Sequence, residues 1–260
     1  RKGLRLGHGA VTDLTLGILS DPFGTGHMGL TAETIAAQYG FSRSELDSFA
    51  AESQRRAAYA QQQGYFDEQI APVSVQSRQS EVWVRNDEHL RPETTIDSLS
   101  TLKAAFKKDG LVTAGNASGL NDGAAALVLT SQSEANRLGV APQARIVGYS
   151  FAGVEPALMG LGPIPAVQKL LSQTGIRLEQ IDVIESNEAF ASQAMAVSQT
   201  LAFNPAKVNP NGGAIALGHP VGATGSILII KALAELQRIQ GRYGLITMCI
   251  GGGQGIALMI

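Results

Sequence analysis

The sequence predicts an α/β protein carrying a helical, loop-rich insertion. Three observations support this: apolar runs of strand length alternate with helical patterns after residue 121, a strongly capped helix precedes them, and a stretch rich in Thr, Ser, Asp and Gly separates the two. With 260 residues and 44% hydrophobic content, the chain can bury a large core in one big domain or two smaller ones.

Ser42-Arg-Ser-Glu45 has the form of a capping box, and the Ala-, Glu-, Gln- and Arg-rich run to Gln63, stopped by Gly64, predicts a helix. Thr31–Tyr39, closed by Gly40, predicts a shorter one before it. Val73, Val75, Val82 and Val84 give short alternating stretches inside the loop-rich part. Ala124–Thr130 is then expected as a buried strand, Glu134–Leu138 as a helix ended by Gly139, and Ala144–Ala152 as a strand. Pro163–Thr174 follows as a helix with proline in its first turn, Asp182–Glu185 as a strand, and 188–201 and 222–240 as helices. Gly244–Cys249 and Ile256–Ile260 close the chain as apolar strands around a glycine bend. Apolar strands alternating with helices imply a sheet covered on both faces, with residues 1–121 as the loop domain and 122–260 as the core.

Twenty basic against 22 acidic residues, with no basic stripe, argue against nucleic acid. No apolar run approaches the roughly 18 to 20 residues of a membrane span. A single cysteine excludes an intrachain disulfide and makes a reducing cytoplasm the expected compartment. The four histidines lack metal-ligand spacing, so no metal is expected, and Gly213–Gly218 followed by His219-Pro220 is not a phosphate loop. Arg1–Gly7 lacks an initiator methionine and reads as a cut end.

What remains is a cluster in the last third: Asn187-Glu-Ala-Phe-Ala191, Asn209-Pro-Asn-Gly-Gly213 and Cys249-Ile-Gly-Gly-Gly253. Each sets a polar side chain beside small residues, and the glycine loops can bring backbone N–H groups to a ligand, which suits an oxyanion site. His219, between Gly218 and Pro220, has little core to support and is expected to be functional. Cys249 is open to two roles, a small packed side chain or a thiolate nucleophile with His219 as its base. Asn187 could cap a helix as well as act, and Glu188 could be a first-turn dipole acid.

Asn187-Glu-Ala-Phe-Ala191, Gly212-Gly-Ala-Ile-Ala-Leu-Gly-His-Pro-Val-Gly-Ala-Thr-Gly225 and Cys249-Ile-Gly-Gly-Gly-Gln-Gly255 resemble, in order, the C-terminal signatures of thiolases. The resemblance extends through Gly26-His-Met-Gly-Leu-Thr-Ala-Glu33 and Thr113-Ala-Gly-Asn-Ala-Ser-Gly-Leu-Asn-Asp-Gly123, so it covers nearly the whole chain. It implies a layered αβα core and acetyl-CoA acetyltransferase chemistry, the Claisen condensation of two acetyl-CoA and its reverse. The acyl-accepting cysteine would sit in an N-terminal portion that these residues do not include. It implies that Cys249 is the acid/base at the α-carbon, that His219 polarises the nucleophilic cysteine and joins a water held by Asn187 on the enolate oxygen, and that Gly251 N–H serves the second oxyanion.

By the same resemblance Arg91, Ser98, Ser118 and Leu120 touch CoA, while His27, Met28, Met159 and Phe190 line the pantetheine tunnel or acyl pocket. His27-Met28 is similar to short-chain enzymes. Pro210 and Lys103-Ala-Ala-Phe106 depart from the family's pattern outside the catalytic set. CoA thioesters are then substrates with no resident cofactor, and a homodimer or homotetramer is expected. A degradative 3-ketoacyl-CoA thiolase is the alternative within the enzymes, and a non-catalytic acyl-CoA-binding chain the alternative outside them.

Overall fold

The structure, a computed structural model, describes residues 6–9, 11–76 and 80–260. A short helix α1 (Leu14–Ile18) leads to α2 (Met28–Tyr39) and α3 (Arg43–Gln62), followed by a hairpin of β1 (Val73–Gln76) and β2 (Glu81–Val84) and by α4 (Ile96–Ser100) and α5 (Gln132–Leu138). The rest comprises β3 (Gly148–Gly153), α6 (Pro163–Thr174), β4 (Val183–Ser186), α7 (Ala191–Thr200), α8 (Ala214–Leu217), α9 (Thr224–Ile239), β5 (Gly244–Ile250) and β6 (Gln254–Met259).

The capping box at α3 is formed in both directions between Ser42 and Glu45, and α6 begins at its proline as expected. Two expectations are corrected. Ala124–Thr130 joins no ladder among the described residues, with Val128 95% and Leu129 76% exposed. An apolar run becomes a buried strand only when another strand takes its backbone groups. The helix expected from 188 begins at Ala191, so neither Asn187 nor Glu188 lies in its first turn, and the cap position falls to Phe190.

The main sheet runs β3-β6-β5-β4, with β4 and β5 parallel and the other pairs antiparallel, and Val208 bridges to Ile184 beyond β4. Alternate residues of each strand feed opposite faces. Ile184, Leu245, Ala257 and Met259 meet Val167 and Leu170 of α6 and Val197 of α7 on one face. Val183, Ile246 and Ile260 meet Leu228, Ala232 and Leu236 of α9 on the other. The core is therefore helix, sheet, helix.

One charge pair crosses the sheet-to-α9 layer. Glu185 of β4 accepts from Lys231 Nζ at 2.6 Å, and the same ammonium donates to the Gly212 carbonyl at 2.6 Å. Burial pushes the Glu185 carboxyl up from 4.5 to about 7 against the pull of that ammonium. Because folding raises this group, the stability linked to it is complete below pH 4.5 and is lost as the pH climbs through about 7. Lys231→Met deepens that loss by leaving a buried carboxylate alone: urea unfolding should show a cost of about 3 kcal/mol at about pH 8 and clearly less at about pH 5. An equal cost at both values would mean that Lys231 acts through packing instead.

Candidate active site

Three segments converge where the parallel strands β4 and β5 end, the carboxyl edge at which open α/β sheets place ligands. Register puts Ser186 opposite Thr247, and the Asn187 N–H donates to the Thr247 carbonyl at 3.0 Å, so Asn187 is the first residue past β4. Cys249 stands two residues further along β5 and is buried with Met159 and Ala189, against Met28 and Phe190. The third segment is the loop that leaves α8 at Gly218 and carries His219.

His219 is held by three bonds that fix its tautomer. Thr224 Oγ1 donates to the Pro220 carbonyl at 2.9 Å, so its oxygen is left to accept from His219 Nδ1–H at 2.7 Å. Nε2 therefore carries the lone pair, and it faces Asn187 Nδ2 at 3.3 Å. The His219 backbone N–H donates to Asn121 Oδ1 at 3.0 Å. Asn187 Oδ1 is buried without a partner among the described residues. An unsatisfied acceptor beside an imidazole is unusual in a packed interior and marks a place for chemistry.

Burial holds the His219 imidazole below its ordinary value and pushes the Cys249 thiol up to about 12. The resting site thus contains a neutral imidazole and a neutral thiol. This disfavours a pre-ionised Cys249 nucleophile, which requires a depressed pKa. A neutral thiol can instead give a proton, and the thiolate left behind in this apolar setting is a strong base that takes one back.

The remaining candidates divide. Gly251 approaches Met28 so closely that a Cβ would overlap its Cε. His27 stacks on Phe106 at 4.7 Å, and Phe106 meets Phe190 edge-on at 6.1 Å. The Ser118 N–H donates to the Ala189 carbonyl at 3.0 Å, with Leu120 exposed on the same loop. Arg91 stands further off with an exposed side chain, and its backbone N–H donates to Gln54 Oε1 at 2.9 Å. Ser98 is not brought in by any bond: its hydroxyl donates to the Thr95 carbonyl and accepts from the Thr95 N–H, completing the cap of α4. The sequence reading missed Thr224 and Asn121, both inside motifs it had quoted. A threonine five residues after a loop histidine was the available signal for the first.

The model of the thiolase C-terminal domain matches residues 140–260, and that of the thiolase N-terminal domain matches residues 1–133. The chain belongs to the thiolase family. It is 54% identical over 258 residues to the beta-ketothiolase BktB of Cupriavidus necator, an alignment covering 99% of this chain and 66% of that protein. It is 50% identical over 262 residues to an acetyl-CoA acetyltransferase of Pseudomonas aeruginosa, covering 100% and 67%. Among solved structures, the Bacillus anthracis acetyl-CoA acetyltransferase superposes with TM-score 0.95 at 47% identity, covering 100% of this chain and 66% of that one. Human mitochondrial 3-ketoacyl-CoA thiolase in complex with CoA gives 0.89 at 40%, covering 100% and 65%. The chain thus spans about two thirds of the length of these thiolases.

A thiol whose pKa is pushed to about 12 should resist alkylation. Iodoacetamide at about pH 8 is expected to leave Cys249 of the folded thiolase chain unmodified and to label it fully in denaturant, as read by intact mass. Rapid labelling of the folded protein would contradict a buried neutral thiol.

Proposed function

We propose that this chain supplies the proton-transfer and enolate-stabilising part of an acyl-CoA acyltransferase, which condenses two acetyl-CoA to acetoacetyl-CoA and catalyses the reverse thiolysis. The observation that carries the reading is the bond from His219 Nδ1–H to Thr224, which leaves the lone pair on Nε2, facing Asn187 Nδ2 at the end of the sheet that also holds Cys249. The names of the relatives support the same chemistry, two of them acetyl-CoA acetyltransferases and one a beta-ketothiolase.

In this reading His219 Nε2 takes the proton of the acyl-accepting thiol and then presents Nε2–H, together with a water held by Asn187, to the enolate oxygen of the second thioester. The Cys249 thiol gives its proton to the CoA that leaves when the acyl-accepting thiol is acylated, and the thiolate so formed removes the α-proton of the second thioester; the enolate carbon then attacks the enzyme-bound thioester, and the acyl-accepting thiolate leaves and takes its proton back from His219. The one cysteine of the 260 residues has the proton-transfer role, so the acyl-accepting thiol is assigned to residues beyond them. Gly251 N–H is the donor proposed for the tetrahedral oxyanion. We assign Arg91, Ser98, Ser118 and Leu120 to CoA contact and His27, Met28, Met159 and Phe190 to the pantetheine and acyl pocket. Met28, Met159 and Phe190 share one apolar cluster with Cys249, which supports that assignment.

CoA thioesters are then the substrates, with no resident cofactor. A reducing cytoplasm suits the free thiol of Cys249. A homodimer or homotetramer is supported by the β1–β2 hairpin, which exposes Val73, Val75, Val82 and Trp83. No helix of the described residues is long and apolar enough to cross a membrane.

The test is turnover of acetoacetyl-CoA with free CoA by the polypeptide that carries this chain, followed by loss of the enolate absorbance. Cys249→Ala should lower kcat by about a thousandfold, the scale of a general acid/base, and an unimpaired variant would sink its role. A preference for longer 3-ketoacyl-CoAs would favour the degradative thiolase, and CoA binding without turnover would favour a binding chain. Protonation of His219 removes its Nε2 lone pair, and burial lowers its pKa, so the acid limb of kcat/KM should fall below 6.5. An acid limb above 6.5 would take that limb away from His219.

A further inference from the structure

The geometry points to Glu188 as a positioning residue that sets the spacing between Asn187 and His219, and this inference rests on the proposed roles of those two side chains. Glu188 follows Asn187 directly, is buried, and touches neither the imidazole nor the thiol by any bond. Its Oε1 accepts from Asn209 Nδ2 at 2.8 Å, and its Oε2 accepts from Ser53 Oγ at 2.6 Å and from Ile215 N at 3.3 Å. One carboxylate thus joins the end of β4 to helix α3 and to the α8 turn that leads into His219.

All three donors are locked in orientation. The Asn209 side chain accepts from Ser186 N at 2.9 Å and donates to Ser186 O at 2.8 Å, so its nitrogen must face Glu188. Ser53 Oγ already accepts the Gly213 N–H at 3.0 Å, so its proton must go to the carboxylate. Ile215 offers a backbone N–H, which cannot turn. A carboxylate has acceptors on both oxygens and satisfies all three; a glutamine amide has one oxygen and would aim an N–H at a donor in either orientation. The fit is also steric, because a Cβ on Gly213 would overlap the Glu188 carboxyl, so the loop passes this group only as glycine.

Glu188→Gln keeps size and shape while removing that acceptor set. It should lower kcat by about a hundredfold, the scale of a misplacement near 1 Å, with KM within about threefold and the rate expressed per folded molecule. The ¹⁵N signals of the His219 ring should shift in the same variant. Should the variant fold poorly, Ser53→Ala, which removes one donor far from substrate, should lower kcat by about tenfold with KM unchanged and shift the same signals. Full kcat in either folded variant with unmoved His219 signals would overturn the assignment, as would a loss confined to thermal stability. A wild-type protein without turnover whose His219 signals still shift in Glu188→Gln would sink the acyltransferase reading and leave the positioning role standing.

Discussion

The site depends on one constraint: the backbone of loops that belong to no ladder must still be bonded once it is buried. Helix α3 meets much of that need with side chains. Gln54 Nε2 donates to the Ile215 carbonyl at 3.2 Å while its oxygen takes the Arg91 N–H, and Arg56 Nη1 donates to the Val208 carbonyl at 2.6 Å. Asp47 accepts from Asn116 Nδ2 at 2.9 Å, and Asn116 O takes the N–H of Ala191 at the start of α7. These polar residues lie within ten positions of one helix, and each faces a different loop of the site. Leu46 and Ala50 of the same helix pack into the core with Leu99 and Ile215, so α3 is held by apolar burial and by the bonds it makes to these loops.

The opposite side of the loop that carries His219 is held by α9. Lys231 reaches the Gly212 carbonyl, Glu235 accepts from Asn211 Nδ2 at 2.8 Å, and Thr224 in the first turn takes the His219 ring. The loop from Asn209 to His219 contains only the short turn α8, yet both of its flanks are bonded to rigid helices. That arrangement lets a loop residue behave like one on a scaffold, with donors set before any charge develops.

This division explains which parts were legible in the sequence. The cap of α3 and the proline start of α6 rest on residues within four positions of each other, so local patterns were sufficient. Ala124–Thr130 failed because its apolar run says nothing about which backbone pairs with it. The α7 start was placed too early because Asn187 and Glu188 suit a helix entrance by type, whereas their actual partners, His219 and Ser53, lie 32 and 135 residues away. His219, between glycine and proline, could be singled out locally; Asn121, which holds its N–H from 98 residues upstream, could not.

Buried charge and a neutral imidazole and thiol coexist because they occupy different sides of the loop. Glu185, Glu188 and Glu235 lie along the flanks of the loop and bond Lys231, Ser53, Asn209, Asn211 and Arg238 there. Among the described residues no carboxylate or ammonium group bonds His219 or Cys249; the ring meets a hydroxyl and an amide, and the thiol packs among Met159, Ala189 and Phe190. A carboxylate bonded to Nδ1 would raise the imidazole's pKa and hold it as imidazolium, and a cation near Cys249 would lower the thiol's. Placing the ionised groups behind the loop leaves the His219 imidazole below its ordinary value and the Cys249 thiol above its own, while still fixing where both stand.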